Sequence, residues 1–543
     1  MSLLFIVAGA ATYAIYKHYE PASLALHAIL LLGMPELLAT QLRQYVYIPA
    51  KLYIFPIYWS TILALTVAYR LSPSHPLAQF PGPLPAKVTK FWMSYVTARG
   101  NAHETARVLH AQYGDIVRIG PNELSFCRPE AIQPILGMKV MRKGPYYDTR
   151  QQREGHATLD GLRDFSEHAA RRKPWNKAMS VAALKDYSTM LIDKVQELMS
   201  CLSNRQGKTI DISTWMAYFG FDFMGVMAFG HEFGMMKAGE DVGRLCHLIE
   251  RGTTIAAYVS HVPWLFPILM SIPGTDREIK TMQALGKRCA EERVKRGSSV
   301  KDLFYYLTEE EQLKSSKVIA SGAGDGLLAI IAGSDTAAAA LGHICYFLLR
   351  DPECFKRLRQ EIDEAFPNRH ETFDPSKQAD MPYLNACINE ALRLYPPVLS
   401  GLQRTVEAGG HVICDQFIPE NTKVSVNAYT MHHDVREFSP IPDIYWPDRW
   451  LSIERYTLPS GEVVSKDQVV TNRGSFLPFS YGPQNCAGKS LAIMEMRAVV
   501  CALVQAFDIQ VAKGYDLDSW EKNIEDVYIT NRGPLLVNVT PRH

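Results

Sequence analysis

Eighteen consecutive uncharged residues, Leu52 to Tyr69, lie between Lys51 and Arg70. As a helix they rise about 27 Å, which is enough to cross the hydrocarbon core of a bilayer. Two shorter apolar stretches precede them, Leu3 to Tyr16 and Leu24 to Ala39, the second interrupted by His27 and Glu36. Residues 1–70 are therefore expected to form a membrane anchor region, with 52–69 as the best span and 3–16 and 24–39 as further candidates. A cleaved leader fits the first stretch less well, because it has no basic start and more apolar sequence follows it. Arg70, Lys87 and Lys90 lie just beyond the span, which places the rest of the chain on the cytosolic side. Pro73, Pro76, Pro81, Pro83 and Pro85 follow. Proline fixes φ and biases its predecessor to extended backbone, so residues 71–85 read as a stiff non-helical linker.

Residues 86–543 form the body. The 57 Lys+Arg against 56 Asp+Glu leave a formal charge of +1, which argues against a nucleic-acid partner. The ten cysteines contain no C-x-x-C pair, so no disulfide scaffold or zinc knuckle is indicated. No repeat or low-complexity break divides the body, and a single domain is expected. Short alternating strands are expected at Ile116–Ile119, Leu124–Phe126 and Thr422–Val426, with helices such as Tyr187–Cys201 and Pro352–Ala365 between them. The class is mainly α with minor β.

Lys317 to Arg350 is apolar enough to resemble another span, but Asp325, Asp335 and His343 interrupt it, so it reads as a long central helix of a soluble core. Within it, Ala332-Gly333-Ser334-Asp335-Thr336 is poor in helix-favouring side chains. The small residues leave room for a flat ligand, and Thr336 can bond to a carbonyl one turn back and open the ladder. Taken alone, the same residues fit a glycine kink. A second unusual segment is Phe479-Ser-Tyr-Gly482-Pro-Gln484-Asn-Cys486-Ala-Gly488, followed by helical apolar spacing from Lys489 to Phe507. A cysteine at a helix entrance has its thiolate favoured by the dipole and by free N–H groups. The small neighbours let the sulfur approach a large flat ligand, with Phe479 as a cover. A lone cysteine is more often simply buried in a structural loop.

The segment Phe479–Gly488 resembles the F-x-x-G-x-R-x-C-x-G signature of the cytochrome P450 monooxygenases. Glu390-Ala-Leu-Arg393 is similar to that family's E-x-x-R, Trp446-Pro-Asp-Arg449-Trp to its P-E-R-F segment, and Ala332–Thr336 to its A/G-G-x-D/E-T. All four stand in the family's order, and the resemblance covers the whole body. It implies the cytochrome P450 fold and a haem-thiolate catalytic domain over 86–543. It also implies haem b (iron protoporphyrin IX) bound beside Phe479 and Gly482, with Cys486 as axial ligand to the iron. Asp335 and Thr336 would deliver protons. Glu390, Arg393 and Arg449 would form a buried structural triad, and His168, Arg172 and Arg404 would meet the haem propionates. Arg171 and Lys173 read as a solvated basic face. Two departures stand out: Gln484 replaces the usual basic residue, and Asp448 the usual Glu.

No flavin or nicotinamide domain is visible, so the resemblance implies electrons from NADPH through an NADPH–cytochrome P450 reductase in the endoplasmic reticulum membrane. Lys489 and Arg497 are candidate docking charges. The segments 145–164 and 398–402 are expected to line a pocket for a lipophilic small molecule. His261–Met270 is apolar and proline-broken, and either dips into the bilayer or joins the core. The anchored layout resembles fungal microsomal members, which often serve secondary metabolism such as terpenoid tailoring. Two other classes stay open: a haem-thiolate isomerase or dehydratase that uses no O2, and a membrane-tethered haem sensor.

Overall fold

The computed structural model describes residues 2–19, 23–42, 50–150, 158–297, 301–308, 316–368 and 372–542. Helices dominate, and the strands are short, lying mostly before Pro145 and after Gly401, with Thr209–Asp211 between helices. At the centre runs a 35-residue helix, Ser316–Arg350. Its alanine-rich middle favours helix, and its apolar side chains pack into one large core with those of Ile212–Phe229 and Lys489–Ala506. Each fully buried Leu or Phe there contributes about 1.5–3 kcal/mol.

Where the central helix crosses Ile212–Phe229, a side chain at Gly220 would stand 2.7 Å from the Ser334 carbonyl, and one at Gly333 would run into Met224. The small residues of this segment therefore let two helices approach closely, a packing role beside the expected space for a ligand. The helix is also continuous through Thr336, contrary to the expected opening of its ladder. Thr336 Oγ1 does donate to the Ala332 carbonyl, at 2.5 Å.

A five-stranded sheet has the order Ile116–Gly120, Glu123–Phe126, Lys423–Val426, Arg404–Thr405, Arg142–Lys143. Glu123–Phe126 and Lys423–Val426 pair in parallel, and the other neighbours are antiparallel. The register sets Lys143 opposite Arg404. Near the C-terminus, Glu525–Val527 and Ile529–Asn531 form a tight hairpin around Tyr528, whose φ is 81°.

The proline segment is docked on the body. Leu77 and Phe80 are buried with the sheet residues, and the Arg118 N–H donates to the Pro81 carbonyl at 2.7 Å. Part of the segment is helical, Leu84–Val88, with Pro85 in the first turn, where proline costs no hydrogen bond. At the N-terminus the helices Ser2–Tyr19, Leu24–Ala28 with its continuation Met34–Leu42, and Ala50–Leu71 pack together. Tyr58 Oη donates to the Leu30 carbonyl at 2.7 Å and meets Thr12 Oγ1 at 2.5 Å; Lys51 meets Glu36 at 2.6 Å. Leu24–Gln41 and Lys51–Leu71 are long and apolar enough to cross a membrane by length and composition. Ala320–Arg350 is too, but two-thirds of it is buried inside the body.

Candidate active site

A cavity of about 550 Å³ opens between the central helix and the segment leading to Lys489–Ala506. The cysteine loop reaches it by two turns that need positive φ, at Ser480 (59°) and Gly482 (75°). A side chain on Gly482 would collide with the Leu136 carbonyl, so only glycine fits. The Cys486 N–H closes the loop on the Phe479 carbonyl at 3.0 Å. Cys486 is accessible from the cavity, and Phe479 lines the cavity beside it. Burial raises the thiol above its ordinary range. The Gly488 and Lys489 amides and the charges of Arg172 and Lys489 oppose this without reversing it, so the helix entrance by itself does not make the thiolate the resting form.

Across the cavity stand Ala332, Gly333 and Thr336. Asp335 is not among the lining residues. Its carboxylate faces Arg532 Nη1 at 3.5 Å, and burial pushes it above the usual carboxylate range while Arg532 pulls it down.

His168, Arg172 and Arg404 all line the cavity, together with Lys143, which the sequence reading missed. Nothing in the local spacing marks Lys143; the strand register sets it opposite Arg404. Its Nζ donates to the Leu159 and Asp160 carbonyls at 3.3 and 2.6 Å, and burial lowers it to about 7. Burial and the charges of Lys143, Arg172 and Arg404 lower His168 to about 4, leaving a neutral imidazole at pH 7. Arg172 clamps the residue before the cysteine, donating to the Asn485 carbonyl at 2.7 Å and to Asn485 Oδ1 at 3.0 Å. Among the described residues, Ser480 Oγ, both the Nε2 and Oε1 of Gln484 and one oxygen of Glu495 in this wall have no hydrogen-bond partner.

Other expectations need correction. Arg171 is not a solvated charge; it meets Asp325 of the central helix at 2.8 Å, and Trp175 Nε1 donates to the same carboxylate at 3.1 Å. Arg497 is committed to Asn385 at 2.7 Å, which weakens it as a docking charge. Of the expected pocket walls, Tyr147, Arg150, Thr158–Asp160, Val398, Ser400 and Leu402 line the cavity, while 151–157 fall outside the described residues. Glu495, also unforeseen, lines it with a buried carboxyl raised to about 8 by burial.

The triad is assembled in the interior behind the loop. Glu390 accepts two hydrogen bonds from Arg393 at 2.8 Å, one from Arg449 at 3.0 Å, one from the Trp446 N–H at 3.1 Å and one from Trp450 Nε1 at 2.9 Å. Arg393 and Arg449 spend their other donors on the carbonyls of His432, Pro442 and Ile441. Burial alone would raise Glu390, but the two guanidinium groups outweigh it and hold the carboxyl at about 2. His432 passes this order to the cysteine loop. Its Nδ1–H donates to the Arg393 carbonyl at 2.9 Å, and its Nε2 accepts the Leu477 N–H at 2.9 Å.

Comparison with known proteins identifies a family. A family model described as Cytochrome P450 matches residues 79–536. The chain is 32% identical to Cytochrome P450 67 of Uromyces fabae, over 99% of both chains. It is also 32% identical to the cytochrome P450 monooxygenase orf5 of Eupenicillium brefeldianum, over 89% of this chain and 94% of the relative. The cytochrome P450 monooxygenase phqL of Penicillium fellutanum is again 32% identical, over 86% and 80% respectively.

Proposed function

The chain belongs to the cytochrome P450 family, a family of oxidoreductases, and from that membership we propose a haem-thiolate monooxygenase acting on a lipophilic small molecule. The net reaction is RH + O2 + NADPH + H⁺ → ROH + H2O + NADP⁺. One observation carries the reading: the Cys486 sulfur and Thr336 line the same largely apolar cavity, and cations form part of its wall. The residues fit iron protoporphyrin IX. Cys486 would supply the sulfur ligand, Arg172 and Arg404 would supply charge for two carboxylates, and Ser480 and Gln484, unpartnered among the described residues, would supply hydrogen bonds. Lys143 would join them, and the neutral His168 would donate without charge. When bound, the haem supplies the activation of dioxygen, and an anionic sulfur ligand favours O–O cleavage.

The remaining steps belong to the chain itself. Thr336 presents a hydroxyl that can both accept and donate a proton at the cavity wall, and Asp335, one residue before it, is the ionisable group behind it. Arg172 holds the backbone before Cys486, and the Glu390 network holds the backbone after His432. Asp335 and Thr336 are specific to proton delivery for O2 chemistry, which a sensor or an isomerase does not need.

We place the enzyme at the endoplasmic reticulum membrane, residues 1–70 as anchor and the body cytosolic, with electrons passed from NADPH by a cytochrome P450 reductase. The Trp264 ring lies 6.4 Å from His27 and 6.1 Å from Phe91, so the Pro-broken stretch and the anchor share one face. The apolar cavity and fungal relatives fit tailoring in secondary metabolism, such as that of a terpenoid. The deciding experiment is the reduced carbon monoxide difference spectrum of the microsomal protein. The native chain is expected to give the thiolate-type band and Cys486→Ala to lose it; a band surviving in Cys486→Ala refutes the assignment.

A further inference from the structure

Asp335 faces away from the cavity wall that its neighbour Thr336 forms, and its partner comes from nearly 200 residues further along the chain. Arg532 follows directly on the hairpin strand Ile529–Asn531. Its Nη1 donates to Asp335 Oδ1 at 3.5 Å and to the Thr530 carbonyl at 3.3 Å, and its Nε donates to Ser213 Oγ at 3.3 Å. The guanidinium thus joins the central helix, the start of Ile212–Phe229 and the hairpin. Both side chains are largely buried, Arg532 9% and Asp335 18% exposed. A carboxylate so placed needs a counter-charge, and Arg532 is the positive group that acts on it. From the helix Leu245–Ser260, Glu250 and Cys246 face the same site: burial and then Asp335 push Glu250 up, against Arg532 and His247, and burial, Asp241 and Asp335 push Cys246 up, against Arg532.

The other face of the same hairpin belongs to the cavity. Tyr528 and Ile529 line it, and the Tyr528 ring lies under the Arg150 guanidinium at 3.6 Å. The hairpin is tied to the rest of the cavity wall by the Thr530 N–H, which donates to the Pro397 carbonyl at 2.9 Å. Three residues therefore separate Tyr528, which lines the cavity, from the guanidinium that meets Asp335.

We propose that Arg532 is a positioning residue that acts through Asp335. It orients the carboxylate for proton relay to Thr336, with the hairpin linking that orientation to the cavity wall. The inference rests on the relay reading above, and the experiment separates the two. Full-length protein in membranes with reductase is supplied with NADPH and no substrate. NADPH consumption and peroxide release are then measured, after the reduced carbon monoxide band has been used to normalise for haem.

Arg532→Gln is expected to slow NADPH consumption by at least about threefold, toward the value of Asp335→Asn. Arg532→Lys, which keeps the charge, should hold at least about half of the native rate. The double variant Asp335→Asn/Arg532→Gln should be no slower than Asp335→Asn alone, because a residue acting through Asp335 has nothing left to act on. A native rate in Arg532→Gln beside a slow Asp335→Asn overturns this inference and leaves the relay standing. Equal losses in the Lys and Gln variants, multiplied in the double variant, indicate packing alone and also overturn it. A native rate in Asp335→Asn overturns the relay and this inference with it.

Discussion

Two polar regions flank the cysteine loop, and they are built in opposite ways. Around Glu390, which has no solvent exposure, both carboxylate oxygens, both guanidinium groups and both ring nitrogens of His432 have partners. In the cavity wall, the side chains of Gln484 and Ser480 and one oxygen of Glu495 have no hydrogen-bond partner among the described residues, and behind the wall Asp335 meets Arg532 only at 3.5 Å. A saturated buried network has no capacity for a ligand and serves to hold the chain in place. Buried groups left open cost free energy in the isolated chain, and they persist where something else satisfies them.

Removing one partner from the saturated side is expected to have the largest effect. Glu390→Ala leaves two buried guanidinium groups unpaired and should cost about 3–5 kcal/mol, read as lost haem retention and a lower denaturation midpoint. A variant with native haem content and midpoint would break the distinction. Cys486→Ala comes next, with the opposite profile: the thiolate-type spectrum is abolished while the far-ultraviolet circular dichroism of the chain is unchanged. His432→Phe removes the link between the two regions. It should destabilise by about 1–3 kcal/mol through the unsatisfied Leu477 amide and Arg393 carbonyl, and broaden the haem spectrum.

Acid should act on both sides from the same onset, since His168 in the cavity wall is lowered to about 4 as well. Burial and Arg393 hold His432 at about 3, below its ordinary 6.5, so the unfolded chain takes up that proton first as pH falls. Stability is then expected to decline from about pH 6.5 downward. Glu390, held at about 2 against an ordinary 4.5, adds stability that is complete above 4.5 and is lost as pH falls toward 2. Denaturation midpoints at pH 7, 5.5 and 4 test this, and a flat profile down to pH 4 would refute it. The smallest effect is expected at Gln484→Leu: no loss of stability without haem, but about 3–10-fold faster haem transfer to an apoprotein trap. If haem-free stability falls instead, the amide is satisfied within the chain and belongs to the scaffold.

What could be read from the sequence follows from which features are local. Cys486 was legible because Gly482, Gly488 and the following helix surround it within ten residues, and the central helix because its largely apolar pattern runs for some thirty despite Asp325, Asp335 and His343. Arg171 was misread as a surface charge because its partner, Asp325, is 154 positions away. Lys143, His432 and Arg532 carry no local pattern at all. The expected room for a ligand at Gly333 proved partly to be room for Met224, since a small residue looks the same in sequence whichever neighbour fills the space.

By itself, then, the sequence determined the mainly α class, an apolar stretch long enough to cross a membrane and the turn that presents the sulfur, all of which rest on spacing and backbone stereochemistry within a few turns; the triad came from the family resemblance, since Arg449 and Glu390 are far apart in the chain. Tertiary structure alone decided that Arg172 grips Asn485, that Lys143 stands beside Arg404 and that Asp335 answers to Arg532. Those pairings depend on helix crossings and strand registers that join positions from nearly two hundred to more than three hundred residues apart, and no local periodicity records them.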